Sequence, residues 1–235
     1  MEAGIIMKIC IIHPVIGKES AEELAEYLGA DCSNPYQTQR RDYREYDLLF
    51  NYGCNRKVKF NRVINKSKSV GRCIDKIKTF EAFTEYNVPH PEYTDDKHKI
   101  PKHWDRIAIR KSKKGNQATD LDYAYFGDEI PDAELYTKVY SSKFEFRIVV
   151  FMGKVVGRYR KQAKGTDWWL NPVDAEGFDH IDAACIEGAK ALEIDYVGFD
   201  VLSRGKKTFT ILEANSAPIL TEEVAEAIKN YIEVQ

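Results

Sequence analysis

Two runs near the C-terminus decide how this chain is read. They are Asp195-Tyr196-Val197-Gly198-Phe199-Asp200-Val201-Leu202 and, after the turn Ser203–Lys207, the stretch TFTILEANSAPIL at Thr208–Leu220. Both are rich in β-branched and aromatic residues and are separated by a polar turn, so they predict two paired antiparallel strands. The first run carries one acid, Asp200. The second ends in Glu213 and Asn215, two residues apart, so strand alternation turns both side chains to one face. Two carboxylates and an amide, with no His or Cys among them, suit a hard divalent cation such as Mg²⁺. The alternative, that Asp200 and Glu213 are solvent-side residues of a hairpin, leaves an acid inside a strongly apolar run without a partner, which is costly.

An Asp on one strand, Glu-x-Asn at the end of the next, then a small residue and Pro resembles the metal-binding signature of ATP-grasp enzymes. The Gly-apolar-Asp strand is similar to that of RimK-type carboxylate-amine ligases. The resemblance implies an α+β fold in which two α+β lobes hold ATP between antiparallel sheets, preceded by a small α/β lobe. The boundaries expected from the pattern are 1–68, 69–140 and 141–235.

Composition agrees with a globular chain. Of 235 residues 43% are hydrophobic, and 35 basic side chains face 37 acidic ones, a balance that demands neither nucleic acid nor membrane. No apolar run approaches the roughly 18 residues of a membrane span, and no secretory signal is visible, so the chain reads as cytoplasmic. Five scattered cysteines, none spaced Cys-x-x-Cys, read as reduced thiols. The five histidines show no pairing at ligand spacing.

Met7–His13 reads as a buried first strand, Glu19–Leu28 as a helix stopped by Gly29, and Tyr46–Tyr52 as a second buried strand. Together they predict a parallel α/β unit. Residues 56–78 hold nine basic residues and one acid, Asp75. With only Phe60 among the charges, the stretch reads as a solvated face beside a triphosphate site, and a nucleic-acid surface is the alternative left open. Ser69–Asn87 carries a helical apolar stripe and predicts one helix, broken by Val88-Pro89-His90-Pro91. The resemblance implies that Lys76 on this helix touches ATP phosphate.

Arg106–Lys111 reads as a short strand with the loop Lys113–Thr119 behind it. The resemblance implies phosphate contact there, with Arg110 at the family's lysine position and Gly115 as the one glycine of a loop that is normally glycine-rich. Arg keeps the charge and adds a bidentate grip. Leu135–Lys138, including Tyr136 and Lys138, resembles the segment between the lobes whose backbone recognises adenine. Glu145–Met152 and Lys154–Lys161 read as a hairpin, the first strand half-buried with Glu145 and Arg147 on its polar face. By resemblance Glu145 belongs to the nucleotide site and Arg147 sits on phosphate; an ordinary cross-strand ion pair is the alternative. From Arg158 a polar loop is expected to run through Trp168, Trp169 and Asn171 to Gly177, with Arg158, Arg160 and Lys161 holding an acidic substrate or acyl phosphate. Asp95–Lys102 looks like a linker, Ile181–Leu192 like a helix, and Thr221–Ile232 like a closing amphipathic helix capped by Thr221.

The implied activity is ATP-dependent ligation of a carboxylate to an amine, with ATP and one or two Mg²⁺ (or Mn²⁺) ions held by Asp200, Glu213 and Asn215. Arg147, Lys161 and Asn171 are the expected catalytic residues, and small-molecule or peptide carboxylates and amines the expected substrates. A homodimer is common among similar enzymes. Phosphate transfer to a hydroxyl, or nucleotide binding with little turnover, are the alternatives.

Overall fold

The computed structural model describes residues 7–37, 42–114, 120–164, 167–205 and 207–234. The chain opens with β1 (Ile9–Ile12), buried along its whole length, and α1 (Lys18–Leu28). Gly29 ends α1 at φ 62°, a conformation glycine adopts without cost. β2 (Asp31–Ser33), β3 (Leu48–Asn51) and β4 (Val63–Ile64) complete a parallel sheet in the order β2-β1-β3-β4. β1 and β3 pair in parallel as their composition predicts.

The single helix expected over Ser69–Asn87 is two: α2 (Ser67–Ile74) and α3 (Lys76–Glu85). Asp75 breaks the run with extended backbone, φ −96° and ψ 104°, and its carboxylate accepts from Lys78 N as the cap of α3. The Lys76 N–H left over at the break donates to Lys113 O at 3.1 Å.

A second, antiparallel sheet follows, with β5 (Tyr93–Thr94), β6 (Arg106–Arg110), β7 (Leu121–Tyr125) and β8 (Leu135–Lys138) in the order β5-β8-β6-β7. The stretch expected as a linker makes a single 3₁₀ turn, Lys97–Lys99, with Asp96 accepting from His98 N. It leads into Trp104, buried with Ile107, Ile109, Ala124 and Tyr136.

The third sheet is antiparallel throughout. β9 (Phe144–Phe151), β10 (Lys154–Lys164), β11 (Asp167–Pro172), β12 (Tyr196–Gly205) and β13 (Thr208–Asn215) lie in the order β11-β10-β9-β12-β13. α4 (Asp179–Ala191) covers one face, and α5 (Glu222–Glu233), capped by Thr221, covers the other. Two expectations are corrected here. The polar loop read from Arg158 is a hairpin: β10 continues to Lys164 and pairs with β11, Lys161 opposite Leu170. β9 is also covered on both faces. Phe146, Ile148 and Val150 pack with Phe83, Ile181 and Cys185, while Val149 and Phe151 pack with Phe50, Val224 and Ile228. The N-terminal sheet and α5 bury the face that was expected to be polar, so only Glu145 and Arg147, at the start of the strand, remain polar there.

Asn65 joins the first lobe to the third sheet. Fully buried, its Oδ1 accepts from Asp195 N (3.0 Å) and Tyr196 N (2.8 Å), and its Nδ2 donates to Tyr196 O (2.8 Å). Arg72 and Lys68, from the basic stretch, pair with Glu193 beside it at 2.8 and 4.0 Å. All five cysteines are free thiols, and burial pushes the Cys73 thiol up to about 12. No helix among the described residues is long and apolar enough to cross a membrane.

Candidate functional site

Register builds the site. Asp200 on β12 lies opposite Arg147 on β9 and opposite Glu213 on β13, so the pleat sets the three side chains in one row on one face. Lys161 on β10 faces Glu145 one step along the same face. Arg147 donates to Asp200 through Nε (2.5 Å) and Nη2 (3.0 Å), and Lys161 Nζ adds a third bond at 2.9 Å. Lys161 also donates to Glu145. From α3, Lys76, only 3% exposed, brings Nζ to 3.4 Å from Glu213 Oε2. Asn215 Oδ1 accepts from Ala217 N at 2.9 Å, turning the chain away after β13.

Each charge depends on its neighbours. Burial works to raise the Asp200 carboxyl, but Arg147 and Lys161 outweigh it and hold the group below its ordinary 3.8. Burial works against Lys161 and Arg147, and the surrounding carboxylates override it, so both are raised above their ordinary values. Lys76 goes the other way. Burial lowers it, the nearby Arg110 charge adds to that, and Glu213 only partly compensates.

The row opens into a cavity of about 610 Å³. Arg147, Asp200, Glu213 and Asn215 line it from the third sheet, the β1–α1 loop Pro14–Gly17, Tyr36, Gly53 and Asn55 from the N-terminal lobe, and Cys73 and Ile74 from α2. Two glycines permit the close approach. A Cβ on Gly53, at φ +82°, would meet Ala217 Cβ at 2.8 Å, and one on Gly198 would meet Pro218 Cβ at 2.6 Å. Tyr52, its hydroxyl donating to Pro218 O and pushed up to about 12 by burial, pins the same segment. Among the described residues no three His, Cys, Asp or Glu side chains converge on one point. A cation here would therefore rest on two carboxylates, the Asn215 amide and oxygens of a ligand. That hard-oxygen donor set, facing a cavity and ringed by cations, fits a Mg²⁺–phosphate complex.

The other residues singled out from the sequence come from the second sheet and the far face of β10, and of them Arg110 is near enough to Lys76 to act on its charge. Arg110 pairs with Leu135 and Leu121, and Ala108 with Thr137 and Tyr123; these share one face of the second sheet, the face on which Leu135 packs against Phe80 and Phe146. Tyr136 and Lys138 project from the opposite face. The Tyr136 ring is in the Trp104 core, its hydroxyl donating to Pro131 O and accepting from Ala133 N. Lys138 Nζ binds Glu92 at 2.8 Å and, ahead of Trp104 and His103, holds that carboxyl down to about 2. Asn171 is outside the cluster as well. It lies opposite Arg160 on the face away from Lys161, and its Nδ2 donates to Gln162 Oε1 at 3.0 Å. Arg158, on that same far face, binds Asp182 of α4 in a bidentate pair, and Arg160 stands over the Phe144 ring. Of Arg158, Arg160 and Lys161 only Lys161 reaches the site, because the strand alternates where a loop would not. Trp169 shares the far face with Asn171 and is exposed. The Trp168 side chain and residues 115–119, with Gly115, lie outside the described residues.

Sequence reasoning missed the Pro14–Gly17 loop, Tyr52, Gly53 and Asn65. One signal was available for the loop. Ligands of open parallel sheets gather at the carboxyl ends of strands where the order reverses, here between β1 and β3.

No family model matches the chain, and no curated protein sequence matches it. Solved structures do. D-alanine–D-alanine ligase from Bacillus anthracis is 15% identical with a TM-score of 0.71, over 97% of this chain and 96% of that one. The ATP-grasp ligase PsnB complexed with minimal precursor is 10% identical with a TM-score of 0.72, over 97% of this chain and 99% of its own. PsnB complexed with minimal precursor, Mg and ADP is 9% identical with a TM-score of 0.71, over 97% of both chains. At these identities the likeness speaks for architecture: the chain has the ATP-grasp fold, an α+β arrangement preceded by a small α/β lobe.

Proposed function

We propose that this protein is an ATP-dependent carboxylate-amine ligase of RimK-like type, acting on a small-molecule or peptide carboxylate and an amine. The observation that carries the reading is the row Arg147–Asp200–Glu213, flanked by Lys161 and Lys76 and open to a cavity between lobes. Support also comes from structural neighbours that are ligases, one of them complexed with a precursor, Mg and ADP. Asp200, Glu213 and Asn215 would hold one or two Mg²⁺ or Mn²⁺ ions, which supply charge neutralisation across the phosphates when bound.

The chain's own groups do the positioning. Lys76 and Arg110 bind phosphate oxygens, Arg147 draws charge from the transferring phosphoryl group, and Lys161 holds the acyl phosphate once it forms. A carboxylate oxygen of the substrate attacks the γ-phosphorus, the bond to the bridging oxygen breaks, and ADP leaves. The amine then attacks the acyl carbon, the C–O bond to phosphate breaks, and the amine proton leaves with the phosphate. No side-chain nucleophile is needed, in keeping with five cysteines that are all free thiols, four of them buried. The adenine partner is the 135–138 backbone together with the face carrying Ala108 and Thr137.

ADP formation from Mg²⁺-ATP, measured against pools of amino acids, peptides and acidic metabolites, tests this. Turnover is expected only with a particular carboxylate and amine, and none in Glu213→Ala. Nucleotide binding without ADP release from any pool would refute the ligase.

A further inference from the structure

The wall facing the charged row has a different chemistry. Among the described residues it presents, Pro14, Val15, Ile16, Gly17, Tyr36, Gly53 and Asn55, none carries a charge, in a chain that is 31% charged. Val15 and Ile16, adjacent aliphatics at the tip of the β1–α1 loop, are 64% and 73% exposed, and Tyr36 beside them is 48% exposed. Neighbouring large apolar side chains left in water at the mouth of a cavity mark a surface that something apolar covers. The loop is also held in place. Ala21 N closes on Gly17 O at 3.1 Å, a Cβ on Gly17 would come within 3.8 Å of Ala217 Cβ and 3.9 Å of the Tyr52 ring, and Tyr52 bonds Pro218 O. The apolar pair is therefore a preformed wall set against the Glu213–Ala217 segment.

We infer that the carboxylate substrate carries an apolar body: an apolar amino acid, or a peptide whose carboxyl-terminal residue is apolar. Its carboxylate lies on the Arg147 side and its hydrocarbon part against Val15 and Ile16. The inference rests on the ligase reading. A charged side chain in the same pose would lose water against Val15 and Ile16 and find no opposite charge among the described residues of this wall.

ADP release is measured with Mg²⁺-ATP, hydroxylamine as a general amine, and single carboxylates: leucine, phenylalanine, glutamate, lysine and a dipeptide ending in leucine. Leucine, phenylalanine or the dipeptide should turn over with the lowest KM, and the dipeptide against free leucine separates peptide from amino acid. Ile16→Thr and Val15→Thr should raise that KM about tenfold or more with little change in kcat, since a methylene-scale change in an apolar pocket is worth about 10–200-fold. Melting midpoints should match the parent, because both side chains are exposed. Turnover favouring glutamate or lysine, or a KM that neither variant moves, overturns the inference and leaves the ligase standing. Absence of ADP release with every carboxylate, alongside intact binding of a fluorescent ATP analogue, overturns the ligase and the inference with it.

Discussion

Replacing Asn65 by alanine should cost more stability than any other single truncation at the junction between the first lobe and the third sheet. The side chain is fully buried and makes three hydrogen bonds: two accepted from Asp195 N and Tyr196 N, one donated to Tyr196 O. Truncation strands those backbone groups, and a buried group left unpaired costs about 1–3 kcal/mol, the least for the partly exposed Asp195 N–H. Summed with the usual discount for relaxation, the loss is about 3–5 kcal/mol. Asn65 is also at φ 62°, where alanine pays about 1 kcal/mol more than asparagine. Asn65→Ala should therefore lose about 4–6 kcal/mol, a large part of the ~5–15 kcal/mol typical of a folded chain. Asn65→Gly sheds the φ penalty and should lose about 1 kcal/mol less. Urea titration followed by circular dichroism, with the slope compared between variants, reads both numbers. A loss below about 1.5 kcal/mol for alanine, the size of one hydrogen bond, or glycine proving worse than alanine, would refute the reasoning.

Gly198→Ala forces a Cβ to 2.6 Å from Pro218 Cβ and 3.1 Å from Arg147 Cδ. It should lower kcat/KM for ADP release by about 10²-fold, the scale of an ångström of misplacement, and an unchanged value would disprove it. Arg158→Met cuts the bidentate pair to Asp182 on the far face of β10. It should cost about 2 kcal/mol in a urea titration while leaving KM and kcat as they were, whereas Lys161→Met, three residues on, should abolish ADP release. Asp200 has a folded-state pKa below 3.8, so its contribution to stability is complete above 3.8 and is lost as pH falls through the lower folded value. Asp200→Asn should thus be less stable at neutral pH but show a flatter acid limb, read from urea midpoints across that range.

The shared face of Asp200, Glu213 and Asn215 was legible because strand period is a local rule that a hairpin carries across to its partner strand. Lys76 was singled out by the resemblance of its helix and the proline segment after it, and the structure brings it to Glu213. The same rule, applied across β10, separates Lys161 from Arg158 and Arg160, but it was not applied there, since the stretch from Arg158 was read both as the end of a hairpin strand and as the start of a polar loop. Tyr136 and Lys138 followed from a segment recognised by its backbone, and a backbone role says nothing about which way side chains project. β2 and β4, three and two residues long, are too short for a periodic signal. The break at Asp75 needs a partner distant in sequence, Lys113 O, to take the freed N–H. The Pro14–Gly17 wall exists only because β1 and β3 lie side by side.

Charge balance explains how such a site folds before it binds anything. Lys76, Arg147 and Lys161 bring three cations; Glu145, Asp200 and Glu213 bring three carboxylates. Paired across neighbouring strands and, for Lys76, from α3, they bury almost no net charge, which keeps the desolvation cost tolerable. The pairing is also asymmetric. Asp200 is held by two cations, whereas Glu213 is bound by the single Lys76, at 3.4 Å, and burial already draws that lysine toward its neutral form. Glu213 is thus the carboxylate most readily given up to an incoming cation, and Lys76 is the ammonium most readily released to a phosphate. An anionic Mg²⁺–nucleotide complex satisfies both at once, since each half of the pair gains a partner of opposite charge. In Glu213→Gln the site keeps its shape but Lys76 loses the carboxylate it meets at 3.4 Å, so Mg²⁺-dependent nucleotide affinity should fall. Equal affinities with and without Mg²⁺ in parent and variant would show that the Lys76–Glu213 pair does not open to the nucleotide.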